Sequence, residues 1–488
     1  MFPTGHFQEA ETPSLKHEYE LVFENRDRLT RGLPTEIISH IFILSLSTTD
    51  LHEKFPEDWN TPLLLGAICR KWRRIAWSTP RLWTTASLII PSASYALRLG
   101  PSLPKLFDQW LERSRVLPLT IRLFVIKPKS GEDYQAVHYL GSAIFDILKL
   151  HSERWENLDL NLPLAHFAEK FHAFSDLKNL RHLCLIPAIV NRDHPQLEPL
   201  FRKATPLTHL TLCCFYFPLD ACNIALDNIT HITLQSMASD QCLEAAQKAH
   251  RLEVFRLWTI SSRDNEQMVY VINPAIRSLE LAEEADESGL SFAEIMECME
   301  ITSLEEFEEF SYAVDPKQMH LASISSLLDR SSCRLKVLNL SGLRSYHIHD
   351  FGKLLEAMPS LEHLLLCCWE FDEEPMLDSI FKRLCDTSPS TEASSQLLPR
   401  LQMLDIRGRS VPFSWDLVPI IFYSSRRGSI CMTFNFHHLD IGVEVVPQLF
   451  QLVDQGRKLR IYVQNGGQKF DYFQEQDLLQ NLALDRCI

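Results

Sequence analysis

With 488 residues the chain is too long for one ordinary core, and two or three structural units are expected. Hydrophobic residues make up 45% of it, with 9 Trp and 28 Phe, which excludes wholesale disorder. The formal charge of -15 excludes a broad grip on phosphate backbones or anionic lipid and favours basic protein partners over nucleic acid or membrane.

The amino terminus, MFPTGHFQEAETPS, has no basic start followed by an apolar run. No later stretch reaches about 18 uninterrupted apolar residues. A soluble chain of the cytoplasm or nucleus is expected. Its 13 cysteines include no C-x-x-C pair, and Cys213-Cys214 and Cys367-Cys368 fall in apolar runs, as buried reduced thiols would. Glycosylation triplets at Asn228 and Asn339 lie in or beside strand-like segments and are discounted.

Residues 14–29 place Leu15, Leu21, Val22 and Leu29 toward one side of a helix, within an amino-terminal segment, 1–32. A small helical module follows over 33–90. Its first helix starts at Pro34, which suits a first helical turn, with Glu36 complementing the positive end. The pairs Ile37-Ile38 and Ile41-Phe42 give it one wide apolar stripe. A second helix is predicted from Pro62 to Trp77, with Leu64, Ile68, Trp72 and Ile75 along one line and Leu65, Cys69 and Ala76 beside it. Arg70, Lys71, Arg73 and Arg74 occupy its other face, and on so acidic a chain they read as a solvated face. So small a unit cannot bury two such apolar faces by itself, so part of this surface should meet a partner. An ordinary helical hairpin would carry the same local pattern.

Taken in order, L-P-T-E-I-I-S-H-I-F, C-R-K-W-R-R-I-A and S-T-P-R-L-W resemble the F-box, over about a tenth of the chain. The resemblance implies docking on the Skp adaptor of a cullin-RING ubiquitin ligase. The contacts would come from Leu33, Pro34, Ile37, Ile38, Ile41 and Phe42, with Leu65, Cys69, Trp72, Ile75 and Trp83 supporting the fold or the interface. Residues 45–61, SLSTTDLHEKFPEDWNT, are longer and more polar than the link of the shortest members. Closure entropy grows only with the logarithm of loop length, so such an insertion is tolerable.

Residues 91–154 are expected as a linking segment of helix and strand, and SLPKLFDQWLERSRVLPLTIRLFV with AIFDILKLHSERWENLDL resembles the joining segment of fungal F-box proteins with leucine-rich repeats. From Trp155 a phrase apolar-x-x-apolar-x-apolar returns at Leu180, Leu207, Ile229, Leu252, Ile276, Leu304, Leu335, Leu361 and Leu401. The steps run from 22 to 31 residues before a last one of 40. Helix-like stretches such as CLEAAQKAH, FGKLLEAM and MLDSIFKRLC lie between the phrases. Such alternation predicts an irregular leucine-rich-repeat solenoid, a horseshoe of strand-helix repeats, over 155–465. The long step contains an exposed loop, 386–399, and 466–488 form a cap or tail. ICMTFNF and LRIYVQ are candidate last strands.

Strand side chains alternate, so the residues between the apolar ones form two columns on an inner wall. His182, His209, His231, Arg256, Glu280, Glu306 and Glu308 stand in these columns and are the candidate client-binding residues. A zinc site on the histidines is disfavoured, because ladder side chains splay in parallel and zinc needs converging ligands. Glu280, Glu283, Glu284, Glu305, Glu306, Glu308 and Glu309 crowd together, as a solvated face or as a docking zone for a basic segment. No nucleophile elbow, phosphate loop, dinucleotide turn or H-E-x-x-H helix occurs, so no catalytic residue, metal or cofactor is assigned. The resemblance therefore implies a non-catalytic substrate adaptor of an SCF-type ligase; a repeat scaffold without a role in degradation is the alternative.

Overall fold

The computed structural model describes residues 30, 32–46, 61–90, 102–125, 131–162, 177–187, 206–213, 224–261, 268–283, 289–311, 320–343, 347–368, 376–385, 397–423, 429–437, 439–465 and 468–474. The expected helix over 14–29, most of the 45–61 insertion and most of the 386–399 loop lie outside the described residues. The chain divides into two compact units, Met1–Pro206 and Leu207–Ile488.

The first unit opens with α1 (Thr35–Leu44), preceded by Pro34 and carrying Glu36 in its first turn. The predicted second helix is two helices, α2 (Thr61–Ile68) and α3 (Arg70–Ser78). The break falls at Cys69, whose backbone is extended and whose Sγ accepts the Trp72 N–H at 3.4 Å, capping α3. Close packing across the break rests on Gly66: a Cβ there would come within 1.9 Å of the Trp77 ring. Arg73 spans the break, its Nε donating to the Gly66 carbonyl at 2.7 Å.

A core of Ile38, Phe42, Leu65, Ile75, Ala76, Leu82 and Trp83 holds these helices together. The Phe42 and Trp72 rings lie 4.9 Å apart, and Trp83 meets Trp77 and Trp110 edge-on at 5.6 and 4.8 Å. Each buried indole N–H needs an acceptor. Trp83 Nε1 donates to the Ala76 carbonyl at 2.8 Å and Trp72 Nε1 to Thr30 Oγ1 at 2.9 Å. The Arg113 guanidinium sits 4.9 Å over Trp83, which closes this aromatic cluster from α4 (Leu103–Arg113).

The parallel sheet begins earlier than the repeating phrase does. β1 (Thr85–Ile90), β2 (Leu119–Val125), β3 (Trp155–Leu162) and β4 (His182–Pro187) pair in sequence order, each parallel to the next. The linking segment, expected as helix and strand, supplies a strand of the sheet, β2, and two helices, α4 and α5 (Gly131–Leu150). Alternation in TASLII and LTIRLFV is the physical reason, because it buries Ala86, Leu88, Ile121 and Leu123 against the helices.

In the second unit the strands β5 (His209–Cys213), β6 (His231–Gln235), β7 (Val254–Trp258), β9 (Ser278–Glu283), β11 (Glu306–Ser311), β12 (Val337–Ser341), β13 (His363–Cys368), β14 (Met403–Gly408), β15 (Cys431–Phe436) and β16 (Lys458–Asn465) form a parallel sheet in that order. Both candidate last strands are therefore strands. β17 (Gln468–Asp471) runs antiparallel to β16 and ends the sheet. A separate pair, β8 (Val271–Ile272) with β10 (Met299–Glu300), stands apart from it.

Between strands run α6 (Ser239–Lys248), α7 (Gly289–Glu297), α8 (Leu321–Ser331), α9 (Ile348–Glu356), α10 (Asp378–Cys385), α11 (Leu417–Tyr423) and α12 (Val446–Asp454). Several phrases enter their strands through a turn in which the first apolar residue donates its N–H three residues back, as Ile229 does to Leu226, Leu252 to Ala249 and Leu361 to Met358. Leu252, Phe255 and Leu257, then Leu304 and Phe307, are wholly buried, so the apolar positions of the phrase make the core.

Candidate functional site

Two kinds of surface stand out. On the helical module, apolar side chains that belong to no core line α1 and α2. Ile37 is 48% exposed, Ile41 44%, Leu44 70% and Leu64 61%, with Leu33, Leu63 and Ile68 exposed as well. Leu33, Ile37, Ile41 and Leu44 recur every three or four residues, which is one helix stripe. Singly exposed apolar residues are ordinary, but six on two short helices, with Leu33 just before the first, are a concentration of apolar surface that water solvates poorly.

The structure sorts the sequence candidates by this criterion. Leu33, Pro34, Ile37 and Ile41 face outward. Ile38 and Phe42, expected as contacts, are 0% and 1% exposed and hold the module together instead. Leu65, Ile75 and Trp83 are buried and support the fold, while Cys69 and Trp72 are half-buried at the α2–α3 junction. Leu44, Leu63, Leu64 and Ile68 were not singled out as contacts. The break at Cys69 turns Leu64 and Ile68 away from the line that Trp72 and Ile75 continue, so helical periodicity read through the break could not assign them.

The second kind is, in each unit taken by itself, the strand face turned away from the apolar core. In the first unit it carries Arg122, Asp159 and Cys184 in register across β2, β3 and β4, and His182 is half-buried one step along, beside Asn157. Burial raises the Asp159 carboxyl to about 6, against the pull of the Cys184 hydrogen bond and the Arg122 charge.

In the second unit, His209 and His231 stack at 4.1 Å and 14°, each ring Nδ1 2.9 Å from the hydroxyl of the threonine before it. Among the described residues no group of three or more His, Cys, Asp or Glu side chains is placed to hold a metal ion. A central column then runs Thr233, Arg256, Glu280, Glu308, Asn339, Leu365, Asp405 and Thr433 in register.

The acidic cluster separates into members with distinct partners. Glu280 accepts from Arg256 Nε at 2.8 Å and from Trp258 Nε1 at 3.1 Å. Glu305 lies before β11, pairs with Lys336 at 2.9 Å and Arg277 at 3.4 Å, and its carboxyl is held below the ordinary range chiefly by the Lys336 hydrogen bond. Glu309 is buried on the core face with His320 Nδ1 3.0 Å away. Glu284 lies outside the described residues. Glu306 and Glu308 remain without an ion pair among the described residues. Burial, then the Glu280 and Glu306 charges, push the Glu308 carboxyl up. Further along, Asp405 lies 3.6 Å from His363 Nε2 and 3.8 Å from Arg407. Burial alone would raise its carboxyl, but the hydrogen bonds and charge of these neighbours and Thr433 outweigh that and hold it low.

No protein-family model and no curated protein matches this chain. Among solved structures, a structural-genomics protein from Bacteroides fragilis is similar at 16% identity and a TM-score of 0.30, over 47% of this chain. The chain spans 65% of that protein's length, and a likeness of this size supports nothing about fold or function. No helix among the described residues is long and apolar enough to cross a membrane.

Proposed function

We propose that the chain is a substrate-recognition adaptor of an SCF-type cullin-RING ubiquitin ligase, with 33–90 an F-box docking on the Skp adaptor and the repeat wall holding the client. The observation that carries this reading is the apolar stripe of Leu33, Ile37, Ile41 and Leu44 standing in water on a module whose own core is complete without it. A face of this kind, next to sequence that resembles the F-box, is what an obligate partner would cover. The mechanism is proximity: holding client and charged ubiquitin carrier on one scaffold raises their effective concentration and asks for no catalytic group here.

The test is co-purification with the Skp adaptor. The double variant Ile37→Asp, Ile41→Asp changes exposed side chains only, so the module should keep its fold and lose the adaptor. Adaptor binding at the level of the unaltered chain would sink the reading. A client whose lifetime is unchanged when the chain is removed, with adaptor binding intact, would favour the non-degradative scaffold.

A further inference from the structure

Deepening the proposed client wall, we infer that the strand face of β11 and β12 is an arginine-recognition site, with the Glu308 carboxylate and the Asn339 amide oxygen as its paired acceptors. Asn339 is 7% exposed, and its Oδ1 has no hydrogen-bond partner among the described residues. It lies directly across from Glu308, one strand away, on the face opposite Leu338 and Leu340. A buried amide oxygen keeps its place at a cost unless a donor reaches it. No described residue does so.

The missing group is defined by what surrounds it. Both orphan functions are acceptors, so the ligand must bring donors. Glu306 stands one step along the same face, and neither it nor Glu308 has an ion pair among the described residues: Arg256 is bonded to Glu280 and reaches Glu308 only through space, as His363 does, and Lys336 is paired with Glu305. The ligand must therefore be a cation. Adjacent strands run about 4.8 Å apart, so the two side chains rise from neighbouring backbone positions on one face. A planar guanidinium, with N–H donors diverging from one plane, reaches both at once, whereas an ammonium is a compact point charge with no fixed fork. The occupant is thus an arginine side chain on an extended segment of the client, with Glu306 at the rim drawing it in. Glu280, the most obvious acid of the cluster, is excluded by its own partners.

This site rests on reading the wall as the client surface, and it is tested apart from adaptor docking. The full chain is titrated with a fluorescent peptide carrying two arginines spaced by glycine, at a salt concentration of about 0.15 M. Companion peptides carry lysine or the neutral isostere citrulline in place of arginine. The arginine peptide should bind at least tenfold more tightly than the citrulline peptide and more tightly than the lysine peptide. Glu308→Gln and Asn339→Ala should each lose tenfold or more. Asn339→Asp, which keeps the shape and the acceptor, should retain binding and covers the case in which the alanine variant fails to fold. Glu305→Gln should change nothing. Equal binding of arginine and citrulline peptides, or full binding by Glu308→Gln, would overturn the site. The Ile37→Asp, Ile41→Asp variant should bind the arginine peptide normally, so a failed adaptor test and a failed arginine test are separate results.

Discussion

Glu309 occupies a position that the neighbouring strands give to Leu257, Leu281, Leu340, Leu366 and Ile406 in continuous register. A carboxylate on the core face is tolerable only with a partner, and His320, at the start of α8, supplies one. Removing one member of such a pair strands the other, while replacing both with apolar side chains restores an ordinary core. His320→Leu should therefore lower stability by about 3 kcal/mol or more. Glu309→Leu combined with His320→Leu should recover most of that loss. Urea midpoints at unchanged slope measure both, and a double variant as unstable as the single one would contradict this account. In the sequence, Glu309 reads as one more acid of a degraded phrase, because its partner lies on the next helix and only the fold brings the two together.

At the scale of elements, what was legible depended on whether the deciding information is local. The phrases are readable because alternation and a 22- to 31-residue step are properties of the chain itself, and in the second unit β5, β6, β7, β9, β11, β12, β13 and β14 fall on them. The break at Cys69 was not, since TPLLLGAICRKWRRIAWS keeps an apolar period through it and the stop is set by the cap on Trp72 and by Gly66 against Trp77. β2 falls in the segment expected as helix and strand, whereas β1 lies inside the helical module, where Trp83, Ala86 and Leu88 keep the spacing of the phrase and are buried as its apolar positions are. Nor could the free acids of the wall be told from the paired ones, since cross-strand register decides which carboxylate meets a cation. Register also explains Gly408 at the end of β14, opposite Cys368. A Cβ there would approach the Cys368 carbonyl oxygen to 2.1 Å, and a backbone atom in a parallel ladder cannot step aside. Gly408→Ala should cost about 1–3 kcal/mol, read as a lower melting temperature, and an unchanged melt would show that β13 and β14 can separate locally without penalty.

For the whole molecule, the wall groups set how stability responds to pH. The Asp159 carboxyl lies at about 6 in the folded chain against an ordinary 3.8, so the folded state holds its proton more tightly than the unfolded chain does. Its contribution is fully present below the ordinary value and is lost as pH rises through the folded one; at neutral pH the buried carboxylate is a standing penalty on the order of 3 kcal/mol. Asp405 runs the other way: its carboxyl is held below the ordinary value, so its contribution is present above that value and fades only in stronger acid. The two windows do not overlap, which lets one substitution isolate the first. Asp159→Asn keeps the shape and an acceptor but cannot titrate. Denaturant unfolding between about pH 4 and 7 should find this variant more stable than the parent at neutral pH and level with it near pH 4, with its own slope across the window flattened. If the parent shows no loss of stability as pH rises through that range, Asp159 is solvated in solution and the burial of the first unit's wall has been misjudged.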